Sequence, residues 1–170
     1  MNETVNQQER LLDLAWIAGL WEGEGNFSLF RGSKNRIYAA ATIVNGDFSL
    51  IEEVHNALVK LGVGHYINTR KLSLRNSNHK DVKVLYVVGY KRVRSLLNVL
   101  RPFLRGHKRD VAAAVMEFVE YRMSIPKGIP YTAKEFELLE IVRALNKKGP
   151  KESSETIRQT AKAEDIVQVV

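Results

Sequence analysis

Cysteine is absent from all 170 residues, which excludes disulfide partners, thiolate metal centres and cysteine nucleophiles. Long apolar runs are missing as well: no stretch approaches the roughly 20 residues that a membrane-spanning helix needs. Met1 to Glu9 is polar and lacks the basic-then-apolar order of a secretory leader. The expectation is a soluble, intracellular protein with no membrane partner, in a prokaryotic cytoplasm or an organelle. Histidine is scarce, and His55, His65, His79 and His107 show no zinc-like spacing. At this length, with 45% hydrophobic residues, one compact domain spanning residues 1–170 is expected.

Acids are scarce in the middle of the chain. Between Arg31 and Arg109, 16 Lys or Arg stand against four acids (Asp47, Glu52, Glu53 and Asp81), a local excess of +12 that leaves −5 for the rest of this +7 chain. Such segregation suits a polyanion partner, because each neutralised phosphate releases condensed counterions. A solubilising charged face reads equally well from charge alone.

Apolar periodicity orders the elements. Leu11, Leu12, Leu14, Ala15, Ile17, Ala18 and Leu20 surround most of a helix over about 8–20, which predicts burial on nearly all sides after a polar tail of residues 1–8. It closes at Gly23-Glu24-Gly25. Strand-like segments 26–30 and 36–44 flank the turn Gly32-Ser33-Lys34-Asn35. A helix over 48–61 follows, with Asp47 as N-cap and Gly62 as stop, and then a second hairpin from 65–75 and 82–89. Helices over 91–100 and 108–123 come next, followed by one from Thr132 to about Lys147 with Glu135 completing a capping box. Ser153 or Ser154 opens a last short helix, and the segment after Glu164 is expected to fray. This order is α+β rather than a βαβ repeat.

The stretch from Trp16 to Gly25 is the most informative. Ala15, Gly19 and Gly23 recur every fourth residue, making a ridge of small side chains that lets another backbone approach closely. Glu22 and Glu24 stand at the end of the same helix, where the dipole disfavours anions. A divalent cation is the simplest compensation. The plainer reading is a glycine-terminated helix with ordinary surface glutamates.

Trp16-Ile17-Ala18-Gly19-Leu20-Trp21-Glu22-Gly23-Glu24-Gly25 resembles the LAGLIDADG motif, with acid-Gly-acid-Gly in register. Similar residues in the small homodimeric homing endonucleases correspond to Val44-Asn45-Gly46-Asp47, Leu61-Gly62-Val63-Gly64, Leu100-Arg101-Pro102-Phe103-Leu104 and Ser154-Glu155-Thr156-Ile157-Arg158. The resemblance covers nearly the whole chain. It implies an αββαββα core with a curved antiparallel DNA-binding sheet and extra C-terminal helices. Its activity would be that of a site-specific endonuclease making a double-strand break in a long pseudo-palindromic target.

By position, the resemblance makes Glu24 the metal-binding acid, helped by the Gly23 carbonyl. The metal would be Mg2+, with Mn2+ able to substitute and Ca2+ supporting binding without cleavage. Ala15, Ala18, Gly19 and Glu22 become the contact between two motif helices in a homodimer, whose two-fold axis generates two active sites. Asn45 matches the family's amide at the end of the second strand, a register shift placing Gly46 there instead. The family's peripheral lysine falls on His107 by ungapped counting, with Lys108 adjacent, so both are carried as catalytic candidates.

The sheet would enter the major groove of double-stranded DNA. Strand alternation then presents Asn26, Ser28, Phe30, Lys34, Arg36, Tyr38 and Thr42 from the first hairpin. In the second, Lys71, Ser73 and Arg75 share one face and Lys83 joins them, Arg70 and Arg109 are further DNA-binding candidates, and Lys148 and Arg158 reach flanking phosphates. Individually, each also reads as a solvated strand or loop residue. Two rivals stand beside the enzyme: a noncatalytic LAGLIDADG-like nucleic-acid-binding protein or RNA maturase, and an unrelated basic ribosome-associated protein. Retention of both acids favours cleavage over the first.

Overall fold

The computed structural model describes residues 2–74 and 77–147, without the side chains of residues 2–6. Arg75, Lys148, Arg158 and the helix expected from Ser153 or Ser154 lie outside the described residues.

Helix α1 (Asn2–Glu24) leads directly into strand β1 (Gly25–Arg31), which turns through Ser33–Asn35 into β2 (Ile37–Asn45). Helix α2 (Phe48–Lys60) precedes the second pair of strands, β3 (Tyr66–Arg70) and β4 (Val82–Val88). Helices α3 (Tyr90–Leu100), α4 (Gly106–Ser124) and α5 (Ala133–Asn146) complete the described chain. The strands form one antiparallel sheet in the order β1-β2-β4-β3. The α+β class and the αββαββα order expected from the sequence are both present. Helix α1 extends farther than expected, beginning at Asn2 within the segment read as a polar tail.

Alternation sorts the sheet into two faces. Phe27, Leu29, Ile37, Ala39, Ala41, Ile43, Leu85 and Val87 point into one buried apolar cluster with the helices. Phe30, Val44 and Tyr66 on the opposite face are exposed, and Asn26, Ser28, Thr42 and Tyr86 are half-buried.

Local chemistry fixes the joints. Gly32 has to be small because a Cβ there would lie 2.3 Å from the Tyr38 ring. Helix α2 starts where the Asp47 carboxylate accepts from Ser49 N at 2.9 Å, Leu50 N at 3.3 Å and Ser49 Oγ at 2.6 Å. The Ser49 hydroxyl and these amides hold the Asp47 carboxyl below its ordinary value. Helix α5 carries the expected capping box: Thr132 N donates to Glu135 Oε2 at 2.8 Å. The buried Glu135 also meets Arg122 at 3.3 Å.

The second hairpin departs from expectation. β3 stops at Arg70 instead of continuing to residue 75, because Asp81 captures Ser73 N at 3.1 Å and Ser73 Oγ at 2.6 Å and so folds Leu72–Leu74 into a helical turn.

Replacing the α2 cap, Asp47→Ala, is expected to lower the melting temperature at neutral pH. Because the folded carboxyl titrates below its unfolded value, its stabilisation is present above the unfolded pKa and disappears as pH falls through the folded one. Melts taken from neutral pH down to about pH 2 should therefore show the gap between variant and wild type closing at the acid end.

Candidate functional site

Helix α1 has two apolar faces. Leu14, Ile17, Ala18 and Trp21 are buried against the rest of the chain. At about 100° per residue, Leu12, Ala15, Trp16, Gly19 and Gly23 point the other way, with Leu12 70% and Trp16 38% exposed. This corrects two expectations. The helix is not enclosed on nearly all sides within one chain, and Ala18, 1% exposed, belongs to the core rather than to any surface ridge. Ala15, Gly19 and Gly23 do share the bare face. A Cβ added at Gly19 or Gly23 would meet nothing within 4 Å, so nothing in this chain demands glycine there. Gly25 differs: its Cβ would lie 2.2 Å from Trp21 Cδ1, which makes glycine obligatory where helix turns into strand.

Two polar contacts lock the end of α1 to the start of α4. The Glu22 carboxylate accepts the backbone N–H of Arg105, the residue immediately before α4. In return Lys108, in the first turn of α4, donates from its ammonium to the carbonyl of Gly25, just past α1. Each charge sits at the helix end whose partial charge opposes it. The chain thus supplies part of the positive compensation that the two acids require. Of the two candidates carried from the sequence, Lys108 is the one whose cation reaches the motif; His107 is half-buried beside it.

Glu24 is exposed at the same corner, next to the exposed Gly23. Asn45 lies at this end of the sheet too, since Gly25 pairs with Ile43, two residues before it. The Asn45 amide oxygen accepts from Asp47 N at 2.8 Å, which fixes the side chain in the loop leading to α2. Among the described residues no three His, Cys, Asp or Glu side chains converge as a metal site. One chain therefore offers the Glu24 carboxylate and neighbouring backbone carbonyls.

The open face of the sheet begins at this corner. Asn26, Ser28, Phe30, Tyr38 and Thr42 lie on it as expected, with Lys34 and Arg36 exposed at the hairpin tip. Phe30 stacks on Tyr38 at 5.5 Å between centroids. Arg70 shares this face, as do Tyr66, Asn68 and Tyr86, which sequence reasoning did not select. The alternation of Tyr66, Asn68 and Arg70 about the inward-facing Ile67 carried that information.

Three residues of the second hairpin are corrected. Lys83 pairs with Asn45 on the opposite parity, toward the helices, where it bonds Glu52 of α2 at 3.2 Å and lies 5.1 Å from the Phe48 ring. Lys71 and Ser73 fall beyond the end of β3, and Ser73 is held by Asp81. Arg109 is exposed on α4, 4.0 Å from Asp110.

A family model described as a LAGLIDADG-like domain matches residues 12–101, more than half of the chain. The chain belongs to the LAGLIDADG family. Solved LAGLIDADG homing endonucleases share its fold. I-CvuI, in complex with an I-CreI target in the presence of magnesium, superposes with a TM-score of 0.61 at 19% identity, covering 91% of this chain and 96% of that one. I-TnaI gives 0.56 at 18% identity, covering 88% and 96%. I-GzeII, in complex with a DNA target, gives 0.57 at 17% identity; the alignment covers 84% of this chain but 47% of that one, so this LAGLIDADG chain corresponds to about half of it. No curated protein matches the sequence.

The exchange between α1 and α4 generates a stability prediction. Glu22→Ala, which leaves the Arg105 amide without its acceptor, should cost about 1 kcal/mol in denaturant unfolding. Glu22→Gln keeps an acceptor oxygen and should recover most of that loss.

Proposed function

We propose that this LAGLIDADG protein is a site-specific homing endonuclease that acts as a homodimer on a long pseudo-palindromic duplex. The observation that carries the reading is the grouping of an exposed carboxylate, Glu24, with the Lys108 ammonium at the corner of an open, aromatic- and arginine-bearing sheet face. The protein–DNA complexes solved for I-CvuI and I-GzeII support it.

The bare face of α1 supports dimerisation. Leu12, Ala15, Trp16, Gly19 and Gly23 present apolar surface that one chain leaves in water, and small residues at two of the glycine positions serve nothing within that chain. A second copy packed there by two-fold symmetry would cover this surface and bring two Glu24 carboxylates to one axis.

The donor set suits a hard divalent cation. Magnesium retains several waters and takes one or two carboxylates plus phosphate oxygens, so Glu24 from each subunit with the Gly23 carbonyl is sufficient. Once bound, Mg2+ or Mn2+ would offset charge developing on the scissile phosphate and acidify an attacking water. Ca2+ is expected to support binding alone. Glu24 holds negative charge at the corner, and Lys108 holds an ammonium beside the phosphate path. Asn45, whose oxygen accepts from Asp47 N, and His107 are the further candidate donors to water or phosphate oxygen. Asn26, Ser28, Thr42 and Arg70 supply hydrogen bonds to base edges, and Lys34, Arg36 and Arg109 supply phosphate contacts.

Glu24→Gln should abolish cleavage while leaving specific binding largely intact, because it removes charge at the cation but no groove contact. Parallel cleavage and gel-shift assays on a selected target test this. Undiminished cutting by the variant contradicts the assignment, and binding without nicking by the wild type with magnesium present favours the noncatalytic module.

Gly19→Leu has open space in its own chain, so the fold should persist while the paired helices are wedged apart. Its expected behaviour is a native circular-dichroism spectrum with the sedimentation of a single 19.3 kDa chain.

A further inference from the structure

On the open face of the second hairpin, Arg70 forms a cluster with two tyrosines that the sequence did not single out. Tyr66 of β3 pairs directly with Tyr86 of β4, and their rings stack at 4.9 Å between centroids with a 14° interplanar angle. Arg70, four residues farther along β3 on the same face, donates from Nη2 to the Tyr86 hydroxyl at 2.5 Å, and its guanidinium carbon stands 6.0 Å from the Tyr86 ring. Val84 occupies the same face between these residues, yet it is only 1% exposed, so side chains lie over it. Arg70 itself is exposed and Tyr66 is 50% exposed.

A free arginine on a strand samples many rotamers and loses that freedom on binding. Here the Tyr86 hydroxyl accepts one hydrogen of Nη2, while the Tyr66 ring stacks on the Tyr86 ring. The exposed guanidinium keeps its other N–H donors in a planar fork. That fork matches the O6 and N7 acceptors of guanine in the major groove, the commonest specific pairing for arginine.

We infer that Arg70 specifies guanine at one base pair in each half-site and that Tyr86 is the positioning residue that fixes its guanidinium for that contact. This rests on the DNA-reading role proposed above. It adds which base is demanded, by which side chain, and what makes the demand sharp. Phosphate contacts elsewhere supply most of the affinity, so disturbing the cluster should relax sequence preference at one symmetric pair of positions without abolishing binding.

The test is selection of bound duplexes from a randomised library in Ca2+, comparing the full-length wild type with Arg70→Ala, Arg70→Lys and Tyr86→Phe. Thermal melts should show that Tyr86→Phe, which keeps the stacked ring, folds as the wild type does. The wild type is expected to enrich a two-fold symmetric site with guanine favoured at one pair per half by at least about tenfold. Arg70→Ala should erase that preference while leaving the remaining positions unchanged. Arg70→Lys should not restore it, since a point charge lacks the bidentate fork. Tyr86→Phe should weaken it several-fold at the same pair only. An unchanged guanine preference in Arg70→Ala overturns the assignment of the base, and an undiminished one in Tyr86→Phe overturns the positioning role. Failure of the wild type to enrich any sequence would instead defeat the proposed DNA-reading function together with this inference.

Discussion

Helix α1 carries more apolar surface than one chain can cover. Ile17 and Trp21 drive into the core with no exposure at all, while Leu12 and Trp16 stand in water a half-turn away. Burial of apolar area is worth about 25 cal/mol per Å2, so leaving such a face wet carries a cost that pairing would recover. The glycines mark where a neighbour can come close. Gly25 answers to Trp21 within the chain, whereas Gly19 and Gly23 answer to nothing in it. This contrast separates the glycine that the fold needs from the two that a partner backbone would need.

The same helix ends in two acids with different work. Glu22 is spent on the amide that precedes α4, and Lys108 reaches back to the carbonyl beyond α1, so the two helix ends neutralise one another. Glu24 is left exposed at the corner. Because the corner is fixed by β1 beginning at once at Gly25, the position of Glu24 relative to the open face of the sheet is set by packing rather than by a loop. The cation site proposed at this corner would therefore rest on rigid elements, which hold a centre's geometry more closely than loops do.

Much of this was legible in the residues themselves. The Asp47 cap, the Thr132 and Glu135 capping box and the Gly32 turn rest on contacts a few residues apart, and each is present. The motif gave the family and the helix end. What it could not give were contacts made across long stretches of chain. Apolar residues all around α1 look alike in sequence, and only the packed fold separates Ala18, which faces the core, from Ala15, which does not. Lys83 looked like a groove residue until its pairing with Asn45 turned it toward Glu52. The register that pairs Tyr66 with Tyr86 puts Arg70 rather than Lys71 on the open face, and Asp81 captures Ser73 beyond the end of β3. The Glu22 to Arg105 contact spans 83 positions and has no local signature.

A second copy of the chain covering the bare face of α1 is the central requirement of the proposed endonuclease. Sedimentation equilibrium of the purified wild-type protein, alone and with duplex DNA, measures this most directly. Two chains of 19.3 kDa per particle, with two per duplex when DNA is present, is the expected result. A single chain at every concentration, and one chain per duplex, would contradict it.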